Sequence, residues 1–333
     1  MTTSKYLVEE IGLPVDENDS ELLLASATGG NVDLIRYLIH EKKLNPTYTE
    51  KSSTGMNALC RACLAGKLEV VRFFVETLHY DVNKLWDTDS PATYAIEGDS
   101  LPVLKYLIDK KGANLIPSPP YGEHLIIRAA RYGRWAIIKY LIEEKHVDPE
   151  WDDIVSGTPL HVAVEAGHLD VVKYLVGERK VNVTALHFNK RNVLHRAILR
   201  GDSRTGWKKS LDMIKYLIDG ANMLSYINDR DSSQKTVAME AASVGALPVL
   251  KYLLDEKRAN TTLVDKRGYN LLHIAARENK LPVVKYLIEQ KGLDLKAETP
   301  QGKTAYGIVS DYSWDTDYAE LLAYLKQKML EKH

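Results

Sequence analysis

The sequence is poor in phenylalanine, with 3 in 333 residues, and poorer in cysteine, with 2. Two cysteines cannot supply a disulfide framework, and that fits a reducing, cytoplasmic compartment. Net charge is almost absent: 44 Lys and Arg against 45 Asp and Glu leave -1, so no global basic field exists to hold a polyanion. Nucleic acid is therefore not the expected partner. No stretch approaches 18 consecutive apolar residues, so no membrane insertion is expected, and the first ten residues lack the apolar core of a signal peptide. The 45% hydrophobic and 27% charged content is that of an ordered globular chain. Against these shortages stands one surplus, 19 tyrosines.

Nine of those tyrosines, from Tyr6 to Tyr324, mark one recurring place. The string Lys105-Tyr106-Leu107-Ile108 returns at Lys139, Lys173, Lys215, Lys251 and Lys285, with weaker copies at Arg36-Tyr37-Leu38, Arg72-Phe73-Phe74 and Ala323-Tyr324-Leu325. From Tyr37 onward the spacings are 36, 33, 34, 34, 42, 36, 34 and 38 residues. Unrelated domains would not share such a period, which is the signature of a repeat architecture.

The plan of one repeat is clearest from Gly157 to Val176. Thr158 is a good helix N-cap, and Pro159 suits the first helical position, where its missing N–H costs nothing. Leu160, Ala163 and Val164 form a narrow apolar stripe, and Gly167 can stop the helix in the left-handed conformation. A second helix then buries Val171, Val172, Leu175 and Val176 while Lys173 faces water. Helices this short are unstable alone, so stacking on neighbouring repeats must supply the core, as in a solenoid.

These residues resemble the ankyrin repeat family. Thr158-Pro159-Leu160-His161 carries the family's motif whole; Leu194-His195, Leu272-His273 and Ser90-Pro91 carry parts of it, and Gly55, Gly268 and Gly302 stand two residues before the cap. The resemblance implies an all-α solenoid of helix hairpins with short β-hairpin loops: residues 1–19 as an N-terminal half-repeat cap, then nine repeats over 20–333 as one continuous body. It also implies protein recognition by a monomeric array through hairpin tips and the concave face of the inner helices. Similar arrays occur in effectors that intracellular bacteria deliver into host cells. A cryptic enzyme and a structural spacer are the remaining alternatives.

Departures from the period locate irregular loops. Eight extra residues fall within Gly201–Ser210, around Trp207, and four within Ser310–Asp317, around Trp314.

The chemical candidates are weak. Cys60 and Cys63 have a Cys-x-x-Cys spacing, but Cys60 stands at the repeat place of His161 and no second pair exists to complete a zinc site. Gly302-Lys303-Thr304 looks like the end of a phosphate loop, but the required earlier glycine is Ala297. His161, His195 and His273 share one place, which suits a repeated bond toward the neighbouring loop better than three active sites. No cofactor, metal or catalysis is expected.

Surface chemistry remains. At the fourth residue before the cap, successive fingers carry Trp86, Pro120 with Tyr121 beside it, Ile154 and Phe188, with Tyr48 and Trp151 in comparable places. Large side chains on solvated turns commonly anchor interfaces. On the inner helices, Tyr94, Arg128, Arg131, Arg196 and Arg200 are expected to face the concave side, the arginines holding carboxylates of an extended peptide or protein. Trp207, in the insertion, completes the set. Trp135 stands where other repeats have Leu68, Leu101, Leu169 and Leu281, and is expected in the core.

Overall fold

A computed structural model describes residues 20–49, 55–86, 89–117, 123–198, 207–312 and 314–331. The expected cap over 1–19 lies outside them. The chain packs as two compact units, Met1–Asp153 and Ile154–His333.

Each unit is a stack of helix pairs. In the N-terminal unit the inner helices are Ser20–Gly29, Ala58–Leu64, Pro91–Glu97 and Leu125–Arg131. In the C-terminal unit they are Pro159–Ala166, Val193–Arg196, Val237–Val244, Leu271–Arg277 and Ala305–Ser310. Most begin at a side-chain cap: the Asn57, Ser90, Thr158, Asn192, Thr236, Asn270 and Thr304 side chains each accept a bond from the backbone N–H three residues on. That bond satisfies an otherwise orphaned donor and fixes where the finger ends and the helix begins.

Outer helices follow after a tight turn, for which the chain adopts positive φ at Gly30, Gly66, Asp99, Gly133, Gly167, Gly245 and Asn279. Several of them widen into a π-type turn, as at Phe73–Thr77, Tyr106–Lys110, Tyr174–Glu178, Tyr216–Gly220 and Tyr252–Glu256. The cause is a repeated termination: the carbonyl at the tyrosine place accepts from the amide five residues on, as in Arg179 to Tyr174 at 3.1 Å and Lys257 to Tyr252 at 3.1 Å. The residue after that amide then turns left-handed, as Lys180 and Arg258 do.

Fingers between the pairs are tight turns. Among the described residues they hold isolated bridges, Thr49 with Asn57, Trp86 with Asp89 and His187 with Arg191, where the family resemblance led to the expectation of β-hairpins.

The tyrosine place forms a ladder along the outer layer. The rings of Tyr106, Tyr140, Tyr252 and Tyr286 are buried. Each hydroxyl donates to a carboxylate of the preceding repeat: Tyr106 to Glu76 at 3.0 Å, Tyr140 to Asp109 at 2.8 Å, Tyr252 to Asp219 at 2.8 Å and Tyr286 to Asp255 at 2.9 Å. A lysine of the tyrosine's own repeat also reaches that carboxylate, as Lys145 does Asp109 at 2.9 Å. The cation preceding one tyrosine lies over the next ring, as Lys215 over Tyr252 at 5.2 Å and Lys251 over Tyr286 at 5.4 Å. Lys173 covers Tyr216 in the same way, at 5.8 Å. So Lys173 faces water as expected and also lies over the neighbouring ring, while the hydroxyls of the ladder donate to carboxylates. The rung at Tyr216 is incomplete: Gly177 stands where its acceptor would be, and a Cβ there would lie 3.9 Å from the hydroxyl.

Trp135 departs from expectation. It opens the helix Trp135–Glu143 and is 41% exposed, with the Lys139 ammonium 5.5 Å from its ring. The equivalent leucines are themselves only half-buried, so this is a rim position, too shallow for an indole.

Candidate partner-binding surface

In the C-terminal unit, histidines tie the fingers together. His161, His195 and His273 are the third residues of their inner helices, and each is nearly fully buried. Their Nε2 atoms contact the Ala185, Lys235 and Ala297 carbonyls of the next finger at 3.1, 3.0 and 3.0 Å, which fixes Nε2 as the protonated nitrogen. Burial lowers all three pKa values, that of His161 to about 4. Backbone bonds add to the ties: Ser232 N–H donates to Asn189 O at 2.7 Å and Lys266 N–H to Ser233 O at 2.9 Å.

Arg196 anchors the first two fingers of this unit. Its guanidinium donates to Ser156 O at 3.0 Å, to Glu165 at 2.8 Å and to His187 Nδ1 at 2.6 Å. His187 in turn donates from Nε2 to Ile154 O at 3.2 Å. Polar struts thus lie beneath, while Ile154, Val155, Leu186 and Phe188 project above, 91%, 83%, 59% and 70% exposed. Beside them is a cleft of about 480 Å³ whose walls include Phe188, Arg191, Arg196, Ile198 and Glu240.

The N-terminal unit is built differently. The histidine place holds Cys60, Thr93 and Ile127, and its fingers are held by charge. Arg128 pairs with Asp89, with Glu97 at 2.9 Å and with Glu123 at 3.1 Å. Arg131 adds a second contact to Glu123 at 2.5 Å, and Tyr132 donates to Glu97 at 3.0 Å. Arg128 was expected to meet a partner's carboxylates; the chain provides three of its own, from residues 5 to 39 positions away.

Several other expected site residues also turn inward. Trp86 is 8% exposed and stacks on Tyr80 at 6.4 Å with the Lys84 ammonium over it. Tyr94 is buried, its hydroxyl 3.5 Å from Trp86 O. Trp207 is buried too, at the left-handed residue before helix Lys208–Lys215. Trp86 and Phe188 differ because of one residue in register. Trp86 is itself the bridged residue of its finger, whereas in the other finger His187 is bridged and Phe188 follows it. Successive residues of extended chain point to opposite faces, so the two rings part. Trp151 is 37% exposed and packs on His124, 4.7 Å away; Tyr48 is half-buried. Tyr121 and Arg200 lie outside the described residues. The residues that the sequence reading missed are Val155, Leu186 and His187. Their signal was the apolar pair Ile154-Val155 in a turn and the Leu-His-Phe run in the next.

Other sites are quiet. Cys60 and Cys63 are free and buried, and burial pushes the Cys63 thiol well up. Among the described residues no group of three His, Cys, Asp or Glu could hold a metal ion, and no helix is long and apolar enough to cross a membrane. Thr304 caps its helix through the Gly307 amide at 3.2 Å, as its repeat position requires.

Comparison with known proteins gives a consistent picture. The family pattern described as ankyrin repeats (3 copies) matches residues 3–85, 22–118, 126–226 and 207–299. Alpha-latrocrustotoxin-Lt1a of Latrodectus tredecimguttatus is 30% identical over 187 residues, which is 52% of this chain and 13% of the toxin. Ankyrin repeat protein nuc-2 of Neurospora crassa is 24% identical over 285 residues, 85% of this chain and 23% of that protein. The transient receptor potential cation channel subfamily A member 1 of Drosophila melanogaster is 28% identical over 199 residues, 56% and 16% respectively. The chain therefore spans less than a quarter of each of these relatives.

Proposed function

Because the chain belongs to the ankyrin repeat family, we propose that it is a scaffold or adaptor that binds a protein partner through the fingertips of its C-terminal unit. One observation carries this reading: Ile154, Val155, Leu186 and Phe188 stand exposed on two fingers that His187 and Arg196 tie together from below. Adjacent apolar side chains on a polar-braced platform are what an interface core needs, since a backbone already held in place loses less entropy on binding. The array recognises and does not catalyse. Two buried free thiols suit a reducing compartment, and we assign the cytoplasm.

The double variant Ile154→Asp/Phe188→Asp tests the reading. Neither side chain supports the fold, so circular dichroism and melting should match the parent. Affinity capture from lysate should lose its stoichiometric partner. Recovery of the same complex by both proteins would overturn the proposal.

A further inference from the structure

The near-zero net charge conceals a division. The N-terminal unit has 17 Lys and Arg against 24 Asp and Glu, and the C-terminal unit has 27 against 21. Within the C-terminal unit much of the surplus stands on the fingertips. Lys190, Arg230 and Lys266 are exposed on three successive fingers, and none is ion-paired with a described residue. Arg230 reaches only the Gln234 amide, at 3.1 Å. Two acids of those fingers are turned inward, Asp231 and Asp265, 8% and 5% exposed, and a third, Asp229, is half-buried and accepts from the Asn192 side-chain amide at 3.4 Å. Asp231 accepts from the Ser233 and Lys235 amides at 2.8 and 2.9 Å, and Asp265 accepts from the Arg267 and Tyr269 amides at 2.9 Å each. Folding thus spends the anions on turn geometry and leaves the cations at the tips.

The backbone bonds from Ser232 to Asn189 and from Lys266 to Ser233 make these tips one continuous edge. It starts beside the apolar platform of Ile154, Val155, Leu186 and Phe188 and runs on through Lys190, Arg230 and Lys266. We infer that this edge takes an acidic, extended polypeptide segment whose apolar residues seat on the platform while its carboxylates meet the successive cations. The inference rests on the proposed fingertip function and names its partner class. Neighbouring repeats lie roughly 10 Å apart and extended chain rises about 3.3 Å per residue, so acids about three residues apart match the edge. A nucleic acid fits less well. Its bases stack on aromatic faces, and three of the four platform side chains are aliphatic.

Selection of random displayed peptides on the full chain, at low salt, tests both layers. The parent should enrich sequences that join an apolar cluster to acids spaced by about three residues. A synthetic peptide of the enriched sequence should bind at least about tenfold more weakly to Lys190→Glu/Arg230→Glu/Lys266→Glu, and lose about tenfold in affinity on raising salt from 50 to 200 mM. Charge-neutral enriched peptides that still lose binding to Ile154→Asp/Phe188→Asp overturn the acidic-segment inference and leave the fingertip function standing. Acidic peptides that bind this apolar variant and the parent equally overturn the fingertip function, and the absence of any enrichment overturns both. Tighter binding of a poly(U) oligonucleotide than of the peptide, or a low-salt dimer that the triple variant abolishes, also overturns the inference. In the first case the edge is a nucleic-acid site, and in the second its occupant is another copy of this chain.

Discussion

The fingers of the two units solve one problem by different chemistry. Both must hold a mobile turn against its neighbours. In the N-terminal unit the means are a guanidinium among three carboxylates and an inward-turned tryptophan; in the C-terminal unit they are chiefly histidine-to-carbonyl bonds below the surface, with Arg196 bracing the first two fingers. The first solution uses up the residue types that make good interfaces, arginine and tryptophan. The second is hidden, and it leaves Phe188, Ile154 and the lysines free to face outward. Large aromatics at equivalent places can therefore be structural in one finger and available in another.

The largest effect should come from truncating the two rings. Trp86→Ala removes a packed indole and should cost about 3 kcal/mol, while Phe188→Ala should stay within about 0.5 kcal/mol, both read from urea midpoints. Trp86→Phe should recover much of the loss, since the buried indole N–H has no acceptor among the described residues to forfeit.

The second effect concerns pH. Burial holds His161 and His124 neutral, lowering both from an ordinary value near 6.5 to about 4. Their stabilisation is full above pH 6.5 and is lost as pH falls toward 4, about 3 kcal/mol at most for each. Tyrosine and lysine partners hold Asp109, Asp219 and Asp255 below the ordinary carboxylate range, so the ladder fails only at lower pH still. His161→Gln should flatten the stability curve between pH 6.5 and 4 in the C-terminal unit. An unchanged slope would show that this histidine is not what titrates.

Removing the arginines should cost less. Arg128→Ala leaves three partly exposed carboxylates facing one another and should cost about 2 kcal/mol; Arg196→Ala, whose ion-pair partner Glu165 is largely exposed, should cost about half of that. Equal losses would erase the contrast between the units.

The smallest effect is a gain. Gly177→Asp replaces a helical glycine and supplies Tyr216 with its missing acceptor, which should add about 1 kcal/mol. Hydrogen exchange should then slow across helix Lys208–Lys215.

The helix pairs and histidine ties were legible because they follow from period and from residue type at a fixed place. Thr158, Gly167 and His161 behave as their positions require. The surface was less legible, for two physical reasons. Whether Trp86 or Phe188 points outward depends on which residue of a short turn is bridged, a one-residue matter that spacing to the cap does not resolve. Whether Arg128 is free depends on Asp89 and Glu97, more than 30 residues away, and on whether they fold back toward it. The opposed charges of the units were countable from the start, but a whole-chain total of -1 cancels them.

The outer ladder also bears on how such a chain can change length. Donor, acceptor and covering cation sit at the same place in every complete rung, so the trailing face of one repeat fits the leading face of any other. Excising residues 220–255 would bring Tyr286 to Asp219 and Lys215, the same groups that Tyr252 meets now. Whole repeats can therefore be gained or lost without inventing a new joint, while a fraction of a repeat would leave every later hydroxyl facing the wrong neighbour.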